Sequence, residues 1–316
     1  MKIVITGSIA FDYLMSFPGK INEQFLDGQM QNISLSFLVD SMKRQRGGVA
    51  PNIAYTLGLL GGAPTVMGMA GQDFTSYGEW LNQHGIDTSA VVIRQDDYCA
   101  SFFCTTDTTQ NQIASFYPGA MAYAGELSLA DHAADADLVI VSPNDPAAME
   151  RMPNECRDMG IDFIFDPSQQ TIRMNGDQLI NGIEGSRLLT SNEYERSLIL
   201  DKTGLSEDEI LAKTGGWLVT LGAEGSLLRV DGEEYHIPIV PPEQIVEPTG
   251  AGDAFRAGLM RGIQLGLPWE ICGRMGALSS VYVLENFGPQ GHHFTKQAFI
   301  DRYRQHFDDE GALDQL

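Results

Sequence analysis

The feature that most constrains the fold of this chain is a repeated alternation of short apolar runs with longer amphipathic stretches. The apolar runs cover residues 3–6, 65–69, 138–142, 163–166, 188–190 and 217–221. The amphipathic stretches cover residues 52–60, 76–84, 147–159, 192–200 and 207–213, and three further helices are predicted at 254–265, 269–285 and 296–307. Continuous apolar strands separated by helices are typical of a parallel sheet buried between two helical layers. The sequence therefore predicts an α/β fold.

Two segments interrupt this alternation and predict a second, smaller sheet. Residues from about 13 to 46 and from about 100 to 118 have an extended pattern, in which 101–106 and 112–117 predict a β-hairpin. Neither segment can bury a core alone, so we predict that they pair into a small sheet that acts as a lid. No linker or repeat divides the chain, and residues 1–316 are predicted to form a single domain.

The charge of the chain restricts its partners. Twenty Lys and Arg residues against forty-two Asp and Glu residues give a formal net charge of −22 at pH 7. Such a chain repels nucleic acid and anionic membrane surfaces, so neither is an expected partner. A nucleotide site would depend on helix N-termini and on Mg²⁺. No run approaches the roughly 18 apolar residues of a membrane-spanning helix, and the N-terminus does not resemble a signal peptide, so a cytoplasmic protein is expected.

The cysteines and histidines give no sign of a metal centre. The four cysteines contain no Cys-Xaa-Xaa-Cys pair, which is typical of reduced thiols in the cytosol. The six histidines lack metal-ligand spacing, and the adjacent His292 and His293 are expected on the surface.

The clearest indication of chemistry is residues 248–258, Pro-Thr-Gly-Ala-Gly-Asp-Ala-Phe-Arg-Ala-Gly, which lead into a predicted helix. The backbone N–H groups of Gly250, Ala251 and Gly252 at a helix N-terminus would hold a phosphate. Asp253 at the same terminus would accept the proton of an attacking hydroxyl. Both functions together are what phosphoryl transfer to an alcohol requires. Taken alone, this motif is more typical of an Asp that only stabilises the first turn of a helix.

Three segments, in order, resemble the signatures of the ribokinase-like (PfkB) sugar kinases. Residues 5–12 resemble the first strand with its substrate Asp, residues 47–52 resemble the N-terminal glycine-pair signature, and residues 248–258 resemble the C-terminal signature. Residues 34–40, 113–121 and 166–170 are similar to the bacterial adenosine kinases of that family. The resemblance implies a ribokinase-like three-layer α/β/α domain with a mostly parallel central sheet and a small β-sheet lid. Because such lids often mediate dimerisation, a homodimer is expected.

The resemblance also implies a substrate site. Asp12 would bind the 2′ and 3′ hydroxyls of a ribose, and Gly48 and Asn52 would lie next to the ribose or the reacting hydroxyl. The base would be flanked by Phe102 and Phe116, in a pocket that also contains Ser8, Ser36, Gln169 and Gln170. Aromatic faces suit stacking on a purine, and glutamine amides both donate to and accept from ring nitrogens. For the two phenylalanines, ordinary packing of the lid on the body is the alternative.

A nucleotide site is implied in the same way. Asn192 and Glu195 match the Asn-Xaa-Xaa-Glu motif of the family, with Asn192 on the nucleotide and Glu195 acting on Mg²⁺ through water. Thr220, Gly222 and Gly225 lie in a turn that resembles the ATP-binding turn of these kinases. The chain has no P-loop motif and no dinucleotide-binding glycine motif after its first strand. Glu247 replaces the usual Asp of a monovalent-cation site, which leaves activation by K⁺ open.

Together these features predict an ATP-dependent kinase that phosphorylates the 5′-hydroxyl of adenosine, with Asp253 as general base. Alternatives within the family are a ribokinase, a fructokinase-like sugar kinase and a guanosine or inosine kinase. Outside catalysis, the alternative is a nucleotide-binding protein that kept the fold, which the presence of Asp253 and of both glycine signatures disfavours. The choice between ATP and GTP as donor is left open.

Overall fold

The structure is a computed structural model that describes residues 1–24 and 35–316. The strands in these residues are β1 (Ile3–Thr6), β2 (Ala10–Ser16), β3 (Ser41–Gly47), β4 (Thr65–Gly71), β5 (Asp87–Arg94), β6 (Ala100–Thr106), β7 (Gln112–Tyr117), β8 (Leu138–Val141), β9 (Asp162–Phe165), β10 (Leu188–Asn192), β11 (Gly216–Thr220), β12 (Ser226–Val230) and β13 (Glu233–Ile237). The helices are α1 (Val49–Leu59), α2 (Thr75–Gln83), α3 (Leu129–His132), α4 (Pro146–Met159), α5 (Gly176–Ile183), α6 (Glu193–Thr203), α7 (Glu207–Leu211), α8 (Ala251–Gln264), α9 (Trp269–Leu284) and α10 (Lys296–His306). Every predicted apolar run overlaps a strand, and every predicted amphipathic stretch overlaps a helix.

The large sheet confirms the predicted α/β architecture. Its nine strands lie in the order β13-β12-β11-β10-β9-β8-β1-β4-β5. The strands from β11 to β5 are parallel, and β12 and β13 add an antiparallel edge. Alternate side chains of β1 enter different cores: Ile3 and Ile5 pack with α1, α2, α8 and α9, whereas Val4 packs with α3–α7. Because both faces of the sheet are covered at its centre, an inner strand such as β8 is apolar along its whole length.

The small sheet contains both segments that interrupt the alternation. Its order is β3-β2-β6-β7, and β6 and β7 form the predicted antiparallel hairpin. Asp12 was expected directly after the first strand, but it lies inside β2, because the chain enters the small sheet at Ala10. Residues 25–34 of the predicted lid lie outside the described residues. The action of this sheet as a lid and dimerisation through it stay predictions.

The topology brings several predicted site residues to one edge of the large sheet. The chain runs from β1 towards β4 and β5 on one side, and later from β8 towards β11 on the other. In open parallel sheets, ligands bind at the carboxyl ends of the strands where this direction reverses. Ser8 follows β1 at that edge, while Asn192 ends β10 and Thr220 ends β11.

The expectation of surface histidines was wrong for His292. This side chain is fully buried, and its Nε2 lies 3.0 Å from Thr56 Oγ1. Burial lowers the pKa of His292 to about 4, so the imidazole packs as a neutral group. Among the helices of residues 1–24 and 35–316, none combines the length and the apolar character needed to cross a bilayer.

Candidate active site

The N-terminus of α8 has the geometry of an anion-binding site. Gly250 adopts a left-handed conformation with φ of 86°, which turns the chain into the helix. The N–H of Ala251 donates to the carbonyl of Pro248 at 3.2 Å. Within the described residues, the N–H groups of Gly250, Gly252 and Asp253 have no acceptor. The free amides are therefore those of Gly250, Gly252 and Asp253, whereas that of Ala251, which was predicted to share in phosphate binding, is already engaged.

Asp253 is held in place by a chain of side-chain hydrogen bonds. Asn52 Nδ2 donates to Asp253 Oδ2 at 2.9 Å. Gln290 Nε2 donates to Asn52 Oδ1 at 2.8 Å and to the hydroxyl of Tyr77 at 2.5 Å. Tyr77 in turn donates to the carbonyl of Gly47 at 3.0 Å. Nδ2 and Oδ1 of Asn52 therefore both form hydrogen bonds within the protein, and Asn52 orients Asp253.

Burial raises the pKa of Asp253 to about 6, while Arg256 and the hydrogen bond from Asn52 act in the opposite direction. A carboxylate with a pKa near 6 is ionised at neutral pH and is also basic enough to take a proton from a hydroxyl. The side chain therefore has the electrostatic character of a general base.

A cavity of about 210 Å³ opens beside Asp253. Its lining includes Gly250, Gly252, Asn192, Glu195 and Thr220. These members of the predicted phosphate and nucleotide sites therefore lie around one space. Gly222 and Gly225 do not line it; both have positive φ in the turn between β11 and β12.

Asn192 and Glu195 form a reciprocal capping box at the N-terminus of α6. The Asn192 N–H donates to Glu195 Oε2 at 2.8 Å, and the Glu195 N–H donates to Asn192 Oδ1 at 2.8 Å. This pairing is a local structural role that the sequence motif also encodes. The capping box leaves Asn192 Nδ2 and Glu195 Oε1 without a hydrogen-bond partner among the described residues. Glu195 is nevertheless only 7% exposed.

Asp12 lies next to the glycine pair, on one face of the small sheet. A Cβ on Gly47 would lie 2.7 Å from Asp12 Oδ2, so only glycine leaves room for this carboxylate. Gly48 precedes α1 with φ of 91°. Burial, and secondarily the charge of Glu247, raise the pKa of Asp12 to about 6.

The aromatic residues of the small sheet share the face of Asp12. Asp12 pairs with Phe102 across β2 and β6, and Phe102 pairs with Phe116 across β6 and β7. Directly paired residues on neighbouring strands point to the same side, so the three form one row. Phe102 is half-buried and Phe116 is 51% exposed.

The remaining predicted pocket residues have different environments. Ser8 Oγ accepts the N–H of Val49 at 3.1 Å. Gln170 is buried and donates from Nε2 to the carbonyl of Asn144 at 2.8 Å, whereas Gln169 is exposed. Ser36 is an exposed residue in the irregular segment before β3. Two of the four side chains, Ser8 and Gln170, therefore already support the loops at the edge of the sheet.

Four residues at the site were given no role by the sequence patterns: Tyr77, Asp166, Arg256 and Gln290. Arg256 Nη2 donates to Asp166 Oδ1 at 2.6 Å, and its Nη1 lies 3.8 Å from Asp253 Oδ1. The one local signal was the position of Arg256, three residues after Asp253 on the same helix face. The other three come from distant parts of the chain.

Free amides at a helix N-terminus beside a basic carboxylate are typical of enzymes that transfer a phosphoryl group to an alcohol. Comparison with known proteins defines the family: the chain is a phosphotransferase that belongs to the pfkB family of carbohydrate kinases, whose profile matches residues 22–294. It is 30% identical over 292 residues to a nucleoside kinase of Methanothermobacter thermautotrophicus, with 91% of each chain covered.

Solved structures show the same fold. The nucleoside kinase of Burkholderia thailandensis in complex with inosine is 37% identical, with a TM-score of 0.87 over 96% of this chain and 97% of that one. The nucleoside kinase of Methanocaldococcus jannaschii, at 24% identity, has a TM-score of 0.84 over 97% of this chain and 99% of that one. The ribokinase-like fold is therefore confirmed.

Proposed function

We propose that this protein transfers the γ-phosphoryl group of ATP to the 5′-hydroxyl of adenosine, giving AMP and ADP. The observation that carries the proposal is the position of the Asp253 carboxylate beside the free N–H groups of Gly252 and Asp253. Asp253 takes the hydroxyl proton as the 5′ oxygen forms its bond to phosphorus and the bond to the β–γ bridging oxygen breaks. The helix amides stabilise the charge on the phosphoryl oxygens during transfer.

A nucleoside is favoured over a free sugar by the row on the small sheet. Asp12 would accept hydrogen bonds from the 2′ and 3′ hydroxyls, and the strands that carry Phe102 and Phe116 follow at intervals of about 4.8 Å. A base attached to a ribose at Asp12 would extend along the row towards Phe116, two strands away from Asp12. The small sheet would then act as a lid that excludes water, which competes with the hydroxyl as acceptor.

Inosine is the second candidate acceptor. The relative from Burkholderia thailandensis has a structure in complex with inosine, and the Methanothermobacter relative is a nucleoside kinase without a stated base. Release of ADP should be measured with adenosine, inosine, guanosine, cytidine, ribose and fructose in turn. We expect kcat/KM for the purine nucleosides to exceed that for ribose by about 5- to 150-fold, because stacking contributes roughly 1–3 kcal/mol per base. A preference for ribose or fructose would refute nucleoside specificity, and absence of ADP release with every acceptor would refute catalysis.

Magnesium is part of the proposal, through Glu195. Glu195 lines the cavity, and its carboxylate, whose Oε1 has no hydrogen-bond partner among the described residues, suits a hydrated Mg²⁺, which binds through few carboxylates. The ion would supply positive charge to the nucleotide phosphates. Potassium would be held near Glu247, whose Oε2 accepts the N–H of Gly288 at 2.9 Å and whose charge acts on Asp12. Parallel assays in K⁺ and in tetramethylammonium buffers would test this second ion.

We expect Glu195→Gln to raise the Mg²⁺ concentration for half-maximal rate by about 10- to 100-fold. Glutamine can still accept the Asn192 N–H and keep the capping box, so the helix should remain intact. Glu209→Gln is the matched control, because Glu209 forms the equivalent capping box of α7 with Ser206. The measurement is a Mg²⁺ titration of the initial rate at saturating ATP, and equal Mg²⁺ requirements in both variants would contradict the role of Glu195.

We expect the acid limb of kcat/KM to have its midpoint near pH 6 and a slope that approaches two. Burial raises the pKa of both Asp253 and Asp12 to about 6. Each group must lose its proton to act, so activity falls as the pH drops through this value. Asp12→Asn should lower kcat/KM and reduce the slope to one. Initial rates at low substrate concentration measure the profile, and a midpoint near pH 4 would contradict the assigned pKa values.

A further inference from the structure

A buried ion pair lies directly behind the proposed base. Asp166 follows β9 and is fully buried. The guanidinium of Arg256 reaches it from α8 through two nitrogens, with Nε 2.5 Å from Oδ2 and Nη2 donating to Oδ1 at 2.6 Å. The hydrogen bond from Nη2 and the close charge contact of Nε together hold the planar guanidinium in orientation as well as in position. The third nitrogen, Nη1, does not contact Asp166.

That third nitrogen lies at the helix N-terminus. Nη1 is 3.8 Å from Asp253 Oδ1, and a Cβ on Gly252 would lie 2.8 Å from the same nitrogen. The side chain of Arg256 thus folds back over Gly252, which must lack a side chain to admit it. Arg256 also lines the cavity beside Asp253, and its side chain is only 12% exposed. Water therefore screens its charge little.

The charged and polar groups around Asp253 come from four elements. Asn52 donates to it from α1, and Arg256 approaches from α8 itself. Asp166 at the end of β9 and Glu195 on α6 act on the guanidinium of Arg256 and keep it charged. Among these groups, Arg256 is the cationic neighbour of Asp253. Asp166 fixes the direction of the Arg256 guanidinium.

We propose that Arg256, held by Asp166, is a positioning residue that keeps the Asp253 carboxylate ionised and aligned at the N-terminus of α8. This inference rests on the proposed phosphoryl transfer, in which Asp253 must be unprotonated. Without a cation, a carboxylate in this buried position would hold its proton to higher pH. A neighbouring cation that carries no transferable proton at neutral pH and cannot rotate away suits this task.

The test is the titration of Asp253 itself, followed by carboxyl-¹³C NMR and assigned by difference from Asp253→Asn. Arg256→Met should raise the titration midpoint of Asp253 by about 1 pH unit or more. Because that variant leaves Asp166 buried without its partner, Arg256→Met combined with Asp166→Asn removes the pair together and should give a rise of the same sign. Asp166→Asn alone should lower the midpoint, because it removes a negative charge and leaves the cation. Arg261→Met, a largely buried arginine farther along α8, should not move it.

Measuring kcat as a function of pH distinguishes a positioning role of Arg256 from a merely structural one. With whichever acceptor the enzyme uses, the loss of kcat in the double variant should be largest at low pH and should shrink as the pH rises. A loss of equal size at every pH, or an Asp253 midpoint that both Arg256 variants leave unchanged, would overturn the inference. Because the NMR titration needs no substrate, it gives an answer even if the enzyme proves inactive on nucleosides.

Discussion

Asp253→Asn is expected to lower kcat by about 10²- to 10⁴-fold, the range typical of a lost general base. The change is isosteric, and the oxygen of the introduced amide can still accept the hydrogen bond from Asn52. Arg256 remains paired with Asp166, so the substitution leaves no isolated charge inside the protein. The fold and nucleotide binding should therefore persist while turnover is lost.

The measurement is steady-state kinetics together with calorimetric binding of ATP to the same preparation. Asp201→Asn, an exposed carboxylate on α6, is the control and should retain full activity. A variant at position 253 with nearly normal kcat would remove Asp253 from the mechanism, whatever its effect on KM.

Gly250→Ala is the second change with a large expected effect. Gly250 has φ of 86°, and an added Cβ would lie 2.5 Å from Pro289 Cβ. The left-handed conformation alone costs a non-glycine residue roughly 1–2 kcal/mol, and the overlap with Pro289 would force the turn to move. Because the free amides of Gly252 and Asp253 move with it, we expect kcat to fall by about 10²- to 10³-fold, the loss typical of a removed anion-stabilising donor.

The control for this variant lies at the other end of the same helix. Gly266 follows α8 with φ of 70°, and a Cβ there meets nothing within 4 Å. Gly266→Ala should thus carry a similar conformational cost but leave kcat unchanged. Thermal unfolding and kcat measured side by side separate the two effects, and equal losses of activity in both variants would contradict the role given to the turn at Gly250.

Local patterns were sufficient to predict most of the large sheet. Strands such as β8 and β9 are buried on both faces and are apolar along nearly their whole length, so their sequences are unambiguous. The sequence patterns did not predict the two edge strands of the large sheet, β5 and β13. β5 and β13 are partly exposed and mix polar with apolar residues, which leaves no continuous run to detect.

The candidate active site likewise contains some features that local sequence encodes and others that it does not. The turn at Gly250 and the position of Asp253 are encoded within a few adjacent residues, and sequence alone indicated both. The support of Asp253 is not local: Gln290 reaches Asn52 across 238 residues, and Arg256 reaches Asp166 across 90. Such contacts exist only once the sheet brings distant loops to one edge. The motif Asn192–Glu195 is visible in the sequence, whereas its capping box became visible only in the structure.

The decisive experiment for the proposed roles of Asp253 and the α8 amides is a crystal structure of the enzyme with adenosine and a non-hydrolysable ATP analogue. We expect the γ-phosphate to accept hydrogen bonds from the N–H groups of Gly252 and Asp253, with the 5′ oxygen of adenosine at hydrogen-bond distance from the Asp253 carboxylate. A nucleotide whose phosphates lie away from the N-terminus of α8, or an acceptor hydroxyl that does not approach Asp253, would contradict it.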